Sequence, residues 1–211
     1  MGSLITAWTL ALALGVRHAS EPDHLVAVST LVAGEPNPRR AAKLGAIWGV
    51  GHSIALLAVG GLLLLLREQL SERMGALLEL GVAGMLLVLG VKSITTAIRM
   101  RRGQEHAHTH EEGQRRPLLI GLVHGLAGSG ALTALVLASM PSVTSGIVYM
   151  LCFGIGSVVG MAALSGLIGL PLAKLTHRLQ LRAAALAATG CLSLVVGIAW
   201  GWPLLETLSA S

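Results

Sequence analysis

A short segment near the start of the chain gathers most of the side chains that could bind a metal ion. His18, Glu21, Asp23 and His24 follow Arg17, and Asp23 is the single aspartate of the chain. Imidazole and carboxylate groups together suit nickel, cobalt, zinc, copper or ferrous iron, whereas calcium and magnesium sites use oxygen ligands alone. The segment therefore predicts a transition-metal site formed by His18, Asp23 and His24, with Glu21 as a secondary candidate. A structural polar cluster and a metal-free proton relay are the alternatives.

Two further histidines interrupt apolar stretches of the sequence. His52 lies between small residues, in Gly49-Val-Gly51-His52-Ser53, and small residues allow helices to approach closely. His124 lies in a second glycine-rich stretch. We expect His52 to complete the metal site and treat His124 as a secondary ligand, although either could be a hydrogen-bonded packing residue.

A third group of histidines lies in a polar stretch, where His106, His108 and His110 alternate among glutamates over residues 104–112. Short histidine-rich tracts bind transition metals. This stretch is therefore a secondary metal candidate, and a solvated linker is the alternative.

The composition indicates which kind of structure must position these groups. Of the 211 residues, 54% are hydrophobic and only 12% are charged, with a mean hydropathy of +0.75. Soluble domains carry about 25% charged residues, and disordered chains have low hydrophobicity. Both classes are therefore excluded, and we predict an all-α polytopic membrane protein. A bilayer span needs about 20 apolar residues, and six such spans are expected at residues 4–32, 44–66, 75–98, 117–139, 144–172 and 183–205.

Pro22 lies inside the first predicted span and should break it. Proline removes a backbone donor and disfavours the helical conformation at the preceding residue. We predict two half-helices separated near Ser20 and Glu21, with Pro22 as the first residue of the second half. The first half should end near His18 with free carbonyl groups that can also face a cation. His24 would lie in the first turn of the second half, where the helix dipole favours neutral imidazole.

The distribution of basic residues predicts the orientation in the membrane. Eleven of them fall after spans 1, 3 and 5, namely Arg39, Arg40, Lys43, Arg99, Arg101, Arg102, Arg115, Arg116, Lys174, Arg178 and Arg182. Only Arg67 and Arg73 lie in the other connections. Cytoplasmic loops are rich in Lys and Arg, so loop 99–116 should be cytoplasmic and both termini outside. The net charge of +5 then reflects membrane topology, and no nucleic-acid partner is expected.

The two halves of the sequence resemble each other. Residues 15–25 align with residues 121–131, which pairs Gly15 with Gly121 and His18 with His124, and residues 49–62 align with 154–167. A three-span unit must insert its second copy upside down, and inverted repeats are typical of transporters. We therefore predict repeats at 1–98 and 117–211, joined by a histidine-rich cytoplasmic linker at 99–116. Chance similarity between sequences rich in Gly, Ala and Leu is the alternative.

At these residues the chain resembles a known family. His18-x4-Asp23-His24 is similar to the HX4DH signature of the nickel/cobalt transporter family, particularly its short six-span branch of UreH-like nickel permeases. Gly51-His52-Ser53 matches the second-helix GHS motif of that family, and residues 121–130 resemble the glycine-rich signature of the short branch. The resemblance implies secondary transport of Ni²⁺ or Co²⁺, with His18, Asp23 and His24, then His52, in substrate recognition. Larger members carry Asp, Thr and Glu where this chain has glycine.

We therefore predict a permease that moves Ni²⁺ or Co²⁺ across the cytoplasmic membrane, with the metal as substrate and no prosthetic group. A cytoplasmic metallochaperone is the protein partner that such a permease would serve, and the sequence does not indicate the oligomeric state. One alternative is a transporter of another solute, such as an amino acid or a sulfur oxyanion, on a similar inverted-repeat fold. A membrane-embedded metal-dependent enzyme is a weaker alternative, since the chain lacks the soluble scaffold or the many ligands that such enzymes need.

Overall fold

The computed structural model describes residues 2–35, 37–103, 115–175 and 178–210. The helices found within them are α1 (Gly2–His18), α2 (Pro22–Val32), α3 (Pro38–Leu66), α4 (Glu72–Arg101), α5 (Arg115–Ser139), α6 (Val143–Leu175) and α7 (Leu179–Ala210). Helices α3 to α7 are each long and apolar enough to cross a membrane, and α1 contains the shorter apolar stretch Leu4–His18. The chain is thus a multi-pass helical membrane protein, as its composition predicts.

The first predicted span is divided into α1 and α2 at the expected place. Helix α1 ends at His18 and α2 begins at Pro22, while Glu21 is extended, with φ −64° and ψ 148°. The free carbonyl groups expected at the end of α1 are absent, because the Arg17 carbonyl accepts from the Ser20 amide and the His18 carbonyl accepts from the Glu21 amide. This expectation was wrong since a tight turn closes the helix end and uses both acceptors.

Local signals explain where the next helices begin and end. The Asn37 side chain accepts a hydrogen bond from the Arg39 amide at the start of α3, and Pro38 occupies the first helical position. Helix α3 ends at Leu66, and the next residue, Arg67, adopts the left-handed conformation with φ 55°. Helix α3 is longer than its predicted span of 44–66, because the apolar count omits the polar first turns.

The helices pack as two groups. Helix α3 packs against α5 and α6, and α1 packs against α6, so these four form a helix bundle. Helices α4 and α7 pack chiefly against each other and form a helix pair. Helix α2 contacts both groups, and α4 also touches α5. The molecule therefore has a bundle and a pair with α2 between them.

Glycines allow the closest approaches within the bundle. A side chain at Gly51 would clash with the Leu118 carbonyl of α5, and one at Gly125 would clash with the His52 carbonyl of α3. The glycines beside His52 therefore let α5 and α3 touch through their backbones, as the sequence indicates.

Two reciprocal hydrogen bonds join the helix pair. The Ser93 hydroxyl of α4 donates to the Leu186 carbonyl of α7 over 2.7 Å, and the Ser193 hydroxyl of α7 donates to the Leu86 carbonyl of α4 over 2.7 Å. Both hydroxyls are buried, so each helix satisfies a polar group of the other.

The contacts also define two faces of the molecule. The ends of α2 and α4 meet the start of α7, where Ala33, Met100 and Ala183 form a buried cluster with neighbouring residues. The Arg182 guanidinium donates to the Gly34 carbonyl over 3.1 Å at the same end. We call this the basic face, since the helix ends and described connections on it carry most of the basic residues. The other end, with the start of α1 and connections 67–71 and 140–142, is the opposite face.

Candidate metal site

Three histidine rings from three separate helices converge at the break between α1 and α2. The ring centroid of His18 lies 4.4 Å from that of His24 and 5.1 Å from that of His52, and the His24 and His52 centroids are 5.3 Å apart. His52 is the middle residue of α3, which spans Pro38–Leu66. The structure thus brings together three imidazoles that the sequence separates by up to 34 positions.

Carboxylates beside two of these rings fix which nitrogen atoms remain free. The Nδ1 atom of His18 lies 2.9 Å from Glu21 Oε2, and that of His24 lies 3.1 Å from Asp23 Oδ1. A carboxylate only accepts hydrogen bonds, so each Nδ1 donates and each neutral ring keeps a lone pair on Nε2. Both Nε2 atoms are buried without a hydrogen-bond partner. Carboxylate-bound histidines of this kind are typical metal ligands.

His52 is the most enclosed of the three histidines. Its side chain is fully buried, and neither ring nitrogen has a hydrogen-bond partner. Buried polar atoms are nearly always satisfied, so an imidazole with two unpaired nitrogens needs an explanation. A bound cation would satisfy one of them.

His124 approaches the same site from α5. Its Nε2 atom donates to Asp23 Oδ2 over 2.7 Å, and its ring centroid lies 4.1 Å from that of His24. Asp23 therefore bridges His24 and His124 through its two oxygen atoms, and all three residues are buried. Asp23, His24 and His124 form a second group of possible ligands, which shares His24 with the three-imidazole group.

The distances within each group suit a small cation. One nitrogen or oxygen atom from each member lies within 4.8 Å of the others. Ligands placed about 2.1 Å from a metal lie roughly 3–4 Å from one another, so modest ring rotations are sufficient. Imidazole nitrogens favour divalent ions of the later first transition series.

A cavity of about 410 Å³ leads to these histidines. Its lining includes His18, His24, His52 and His124, and beyond them small residues of α5 such as Ala131. Further lining residues are Leu14, Arg17, Glu21, Asp23, Glu79, Val82, Ala127, Gly128, Leu132, Leu135, Phe153 and Trp200. Most of the lining residues of α1, α4, α5 and α7 lie between the histidines and the opposite face. The histidines therefore stand at the inner end of a cavity directed at that face.

The other side of the site is closed by packed side chains. Val28, Trp48, Leu86, Ile120 and Met161 belong to one buried cluster between the histidines and the basic face. Ile120 and Trp48 precede His124 and His52 by one helical turn, so they cover the site on that side. We call this cluster the seal.

Sequence reasoning missed three residues of this site. The Trp48 ring lies 5.4 Å from that of His24, and the Phe153 ring lies 5.3 Å from that of His18. The spacing of Trp48, one turn before His52, was a usable signal. Glu79 lines the cavity from α4, and a carboxylate inside a predicted span could also have been noticed.

The histidine-rich stretch cannot be related to this site. His106, His108 and His110 lie outside the described residues, so their proposed metal binding stays a prediction.

These features together define a class: a multi-pass helical membrane protein whose spans enclose a cluster of histidines. Urease accessory protein UreH of Bacillus sp. (strain TB-90) is 33% identical to the chain over 208 residues, which cover 92% of this chain and 90% of that protein. The chain therefore belongs to the family of UreH-like nickel permeases, and the family membership indicated by its HX4DH motif is confirmed.

Two plant proteins are also similar. Chloroplast protein FOR GROWTH AND FERTILITY 2 of Arabidopsis thaliana is 32% identical over 177 residues, covering 79% of this chain and 47% of the relative. Chloroplast protein FOR GROWTH AND FERTILITY 1 of the same plant is 28% identical over 185 residues, covering 80% and 50%. This chain thus spans about half the length of each plant relative. No family model matches the chain, and no solved structure matches it.

Proposed function

We propose that the protein is a secondary permease that moves Ni²⁺ or Co²⁺ through an intramembrane site of His18, His24 and His52. The observation that carries this proposal is the set of buried nitrogen atoms without partners at the inner end of the cavity. A charge within the membrane costs several kcal/mol by insertion scales, and a structural cluster would be expected to satisfy its own polar atoms.

The carboxylates give the site its charge and its geometry. Glu21 orients His18, and Asp23 orients both His24 and His124. An ion held by one lone pair of each ring would be joined to Asp23 through the His24 ring, and the negative charge of Asp23 would balance part of the charge of the ion. Asp23 and His124 could replace His18 and His52 as ligands, with His24 common to both groups, once His24 and His124 carry their protons on the ring nitrogens that face away from Asp23.

The proposed transport cycle uses six spans arranged as a 3+3 inverted repeat, with α1 and α2 together forming the first span. The reciprocal bonds of Ser93 and Ser193 support this arrangement. The distance in sequence from Ser93 to Ser193 equals the distance from Leu86 to Leu186, whose carbonyl groups accept these bonds. Residues 1–98 and 117–211 would then be the repeats, and 99–116 the linker.

Contacts at the site support the same symmetry. Phe153 lies beside His18 with 5.3 Å between ring centroids, and Trp48 lies beside His124 with 5.6 Å. The sequence alignment pairs His18 with His124, and Trp48 and Phe153 immediately precede the aligned segments 49–62 and 154–167. A pseudo-two-fold axis through the site would relate these pairs, which is where inverted-repeat transporters bind their substrates.

The orientation follows from the positive-inside rule. The basic face would be cytoplasmic, together with loop 99–116, and both termini would lie outside the cytoplasmic membrane. The cavity would then be open to the outside and the seal would close the cytoplasmic side. Rocking of the bundle against the helix pair would expose the ion to the other side, where a cytoplasmic metallochaperone would be its partner.

Calorimetric titration of the purified protein with Ni²⁺, Co²⁺ and Zn²⁺ tests the site. We expect one ion bound at this site and a loss of affinity of more than about 100-fold at it in His52→Ala, since removing a ligand exceeds the roughly 10–100-fold effect of losing a residue that orients one. Ser53→Ala is the matched control, because Ser53 is the buried neighbour of His52 and its hydroxyl donates to the Gly154 carbonyl.

Unchanged affinity in His52→Ala would contradict the assigned site. An absence of metal binding to the wild-type protein would contradict the function and favour a transporter of another solute.

A further inference from the structure

Glu79 is a carboxylate of the cavity that the metal site does not use. It lies on α4, whereas the three imidazoles lie on α1, α2 and α3. It lines the same cavity as His52 and is partly buried. Among the described residues, no hydrogen bond or ion pair holds its side chain. Ionisable groups inside membrane spans are costly and mark ion pathways, so an unpaired carboxylate here needs a function.

The depth of Glu79 places it between the histidines and the opposite face. Glu79 lies about 11 Å from the midpoint of α4, within the roughly 15 Å half-thickness of the hydrocarbon core. Leu135 of α5 and Trp200 of α7 line the cavity about 12 Å and about 8 Å from the midpoints of their own helices, towards the same face. Three helices thus contribute lining residues at a similar depth, and Glu79 supplies the negative charge among them.

We propose that Glu79 is an access site, which binds the hydrated divalent cation before it reaches the imidazoles. This inference rests on the proposed function, and the unpartnered His52 at the inner end of the same cavity is the independent sign that a cation travels there. A single carboxylate on a wide cavity wall leaves the ion most of its water. It therefore raises the local concentration of any divalent cation, with little preference between metals.

Location on the helix pair gives Glu79 a second property. Glu79 lies on α4, one helix of the pair, while the imidazoles belong to the bundle and to α2, and residues of both groups line the cavity. A cation between Glu79 and the histidines attracts the pair towards the bundle, which narrows the cavity behind the ion.

Flux measurements in proteoliposomes test the proposal with Glu79→Gln, which keeps the size and removes the charge. We expect the Ni²⁺ concentration for half-maximal flux to rise by ~3- to 10-fold, the maximal flux to stay unchanged, and the calorimetric affinity of the histidine site to stay within about twofold of wild type. Glu79→Asp should restore most of the flux at low Ni²⁺. Glu68→Gln, which removes an exposed charge from connection 67–71 on the same face, is the matched control and should change nothing.

Magnesium provides a second readout, since a hard hydrated cation should compete at the carboxylate but not at the imidazoles. We expect millimolar Mg²⁺ to inhibit Ni²⁺ flux through the wild type competitively and to inhibit the Glu79→Gln variant much less. Equal behaviour of Glu79→Gln and Glu68→Gln would overturn the proposal and leave the histidine site intact. Loss of calorimetric Ni²⁺ binding in Glu79→Gln would also overturn it, because Glu79 would then belong to the central site. If the wild type bound no Ni²⁺, the proposed function itself would fail.

Discussion

Asp23 determines, more than any other residue of the site, which histidine nitrogens keep a lone pair for a metal ion. Its Oδ1 accepts from His24 and its Oδ2 accepts from His124. Each bond selects the tautomer of the ring that donates it, and so leaves the distant nitrogen of that ring with a lone pair. A single buried carboxylate thus prepares two histidines at once.

Replacement of Asp23 by asparagine tests this role. The amide of Asp23→Asn has only one acceptor oxygen, so His24 and His124 can no longer both donate to it, and one ring must change its tautomer or lose its bond. We expect Ni²⁺ affinity to fall by about 10–100-fold, as measured by calorimetry.

Glu206→Gln is the control for Asp23→Asn, because Glu206 bonds to Trp202 outside the cavity. Wild-type affinity in Asp23→Asn would contradict the assigned role of the carboxylate.

The sequence predicts the members of this site better than their bonding. Residue types and the HX4DH spacing point to His18, Asp23 and His24, and the structure places them together with His52. The pairing of Glu21 with His18, and the bridge from Asp23 to His124, depend on side-chain torsions and on the register of α5 against α3. No spacing rule contains that information.

At the scale of the element, the break at Pro22 decides whether the site exists. In a continuous helix, His18 and His24 would point about 120° apart around the axis and lie about 9 Å apart along it. The break instead brings their ring centroids to 4.4 Å. The change of direction between α1 and α2 is therefore what turns a sequence motif into a pair of neighbouring ligands.

Restoring a helical residue at this position should damage the site. Pro22→Ala adds an amide donor and removes the restriction on Glu21, so α1 and α2 gain the freedom to join. We expect Ni²⁺ affinity to fall by at least about tenfold, measured by calorimetry, while the helix content measured by circular dichroism stays constant or rises.

Pro171→Ala is the matched control for Pro22→Ala, since Pro171 lies inside α6 and outside the cavity lining. Full affinity in Pro22→Ala would show that packing of α2 alone maintains the break.

Element positions were predictable wherever the sequence carries a strong local signal. Apolar runs locate the long helices, and Pro22 locates the break, since both act within a few residues. The bonding of the Arg17 and His18 carbonyls was not foreseen, because the turn that closes α1 is set by the conformations of Ser20 and Glu21 together.

At the scale of the whole molecule, the described residues give the site an open side and a packed side. The cavity joins the histidines to the opposite face, and the seal separates them from the basic face. The helices that line the cavity belong to both the bundle and the helix pair. A transport cycle must close the cavity on the opposite face and open the seal on the basic face.

Cysteine labelling measures this asymmetry directly. In a background without Cys152 and Cys191, Ala131→Cys lies on the cavity wall and Ile120→Cys lies in the seal. A membrane-impermeant maleimide added outside intact cells should label Ala131→Cys, and Ni²⁺ should slow that labelling. Ile120→Cys should stay unlabelled from the same side. Equal labelling of the two positions would contradict a one-sided cavity, and labelling of Ala131→Cys only in inverted vesicles would reverse the proposed orientation.

The depth of the cavity has an electrical consequence. A space of about 410 Å³ has room for on the order of a dozen water molecules, and a water-filled cavity would carry the potential of the opposite face inward towards the site. Most of the membrane voltage therefore falls across the thin layer formed by the seal. A divalent cation that crosses this layer moves two charges, which changes its free energy by ~4.6 kcal/mol per 100 mV; with the basic face in the cytoplasm, as proposed, an inside-negative potential would favour movement from the cavity towards the cytoplasm.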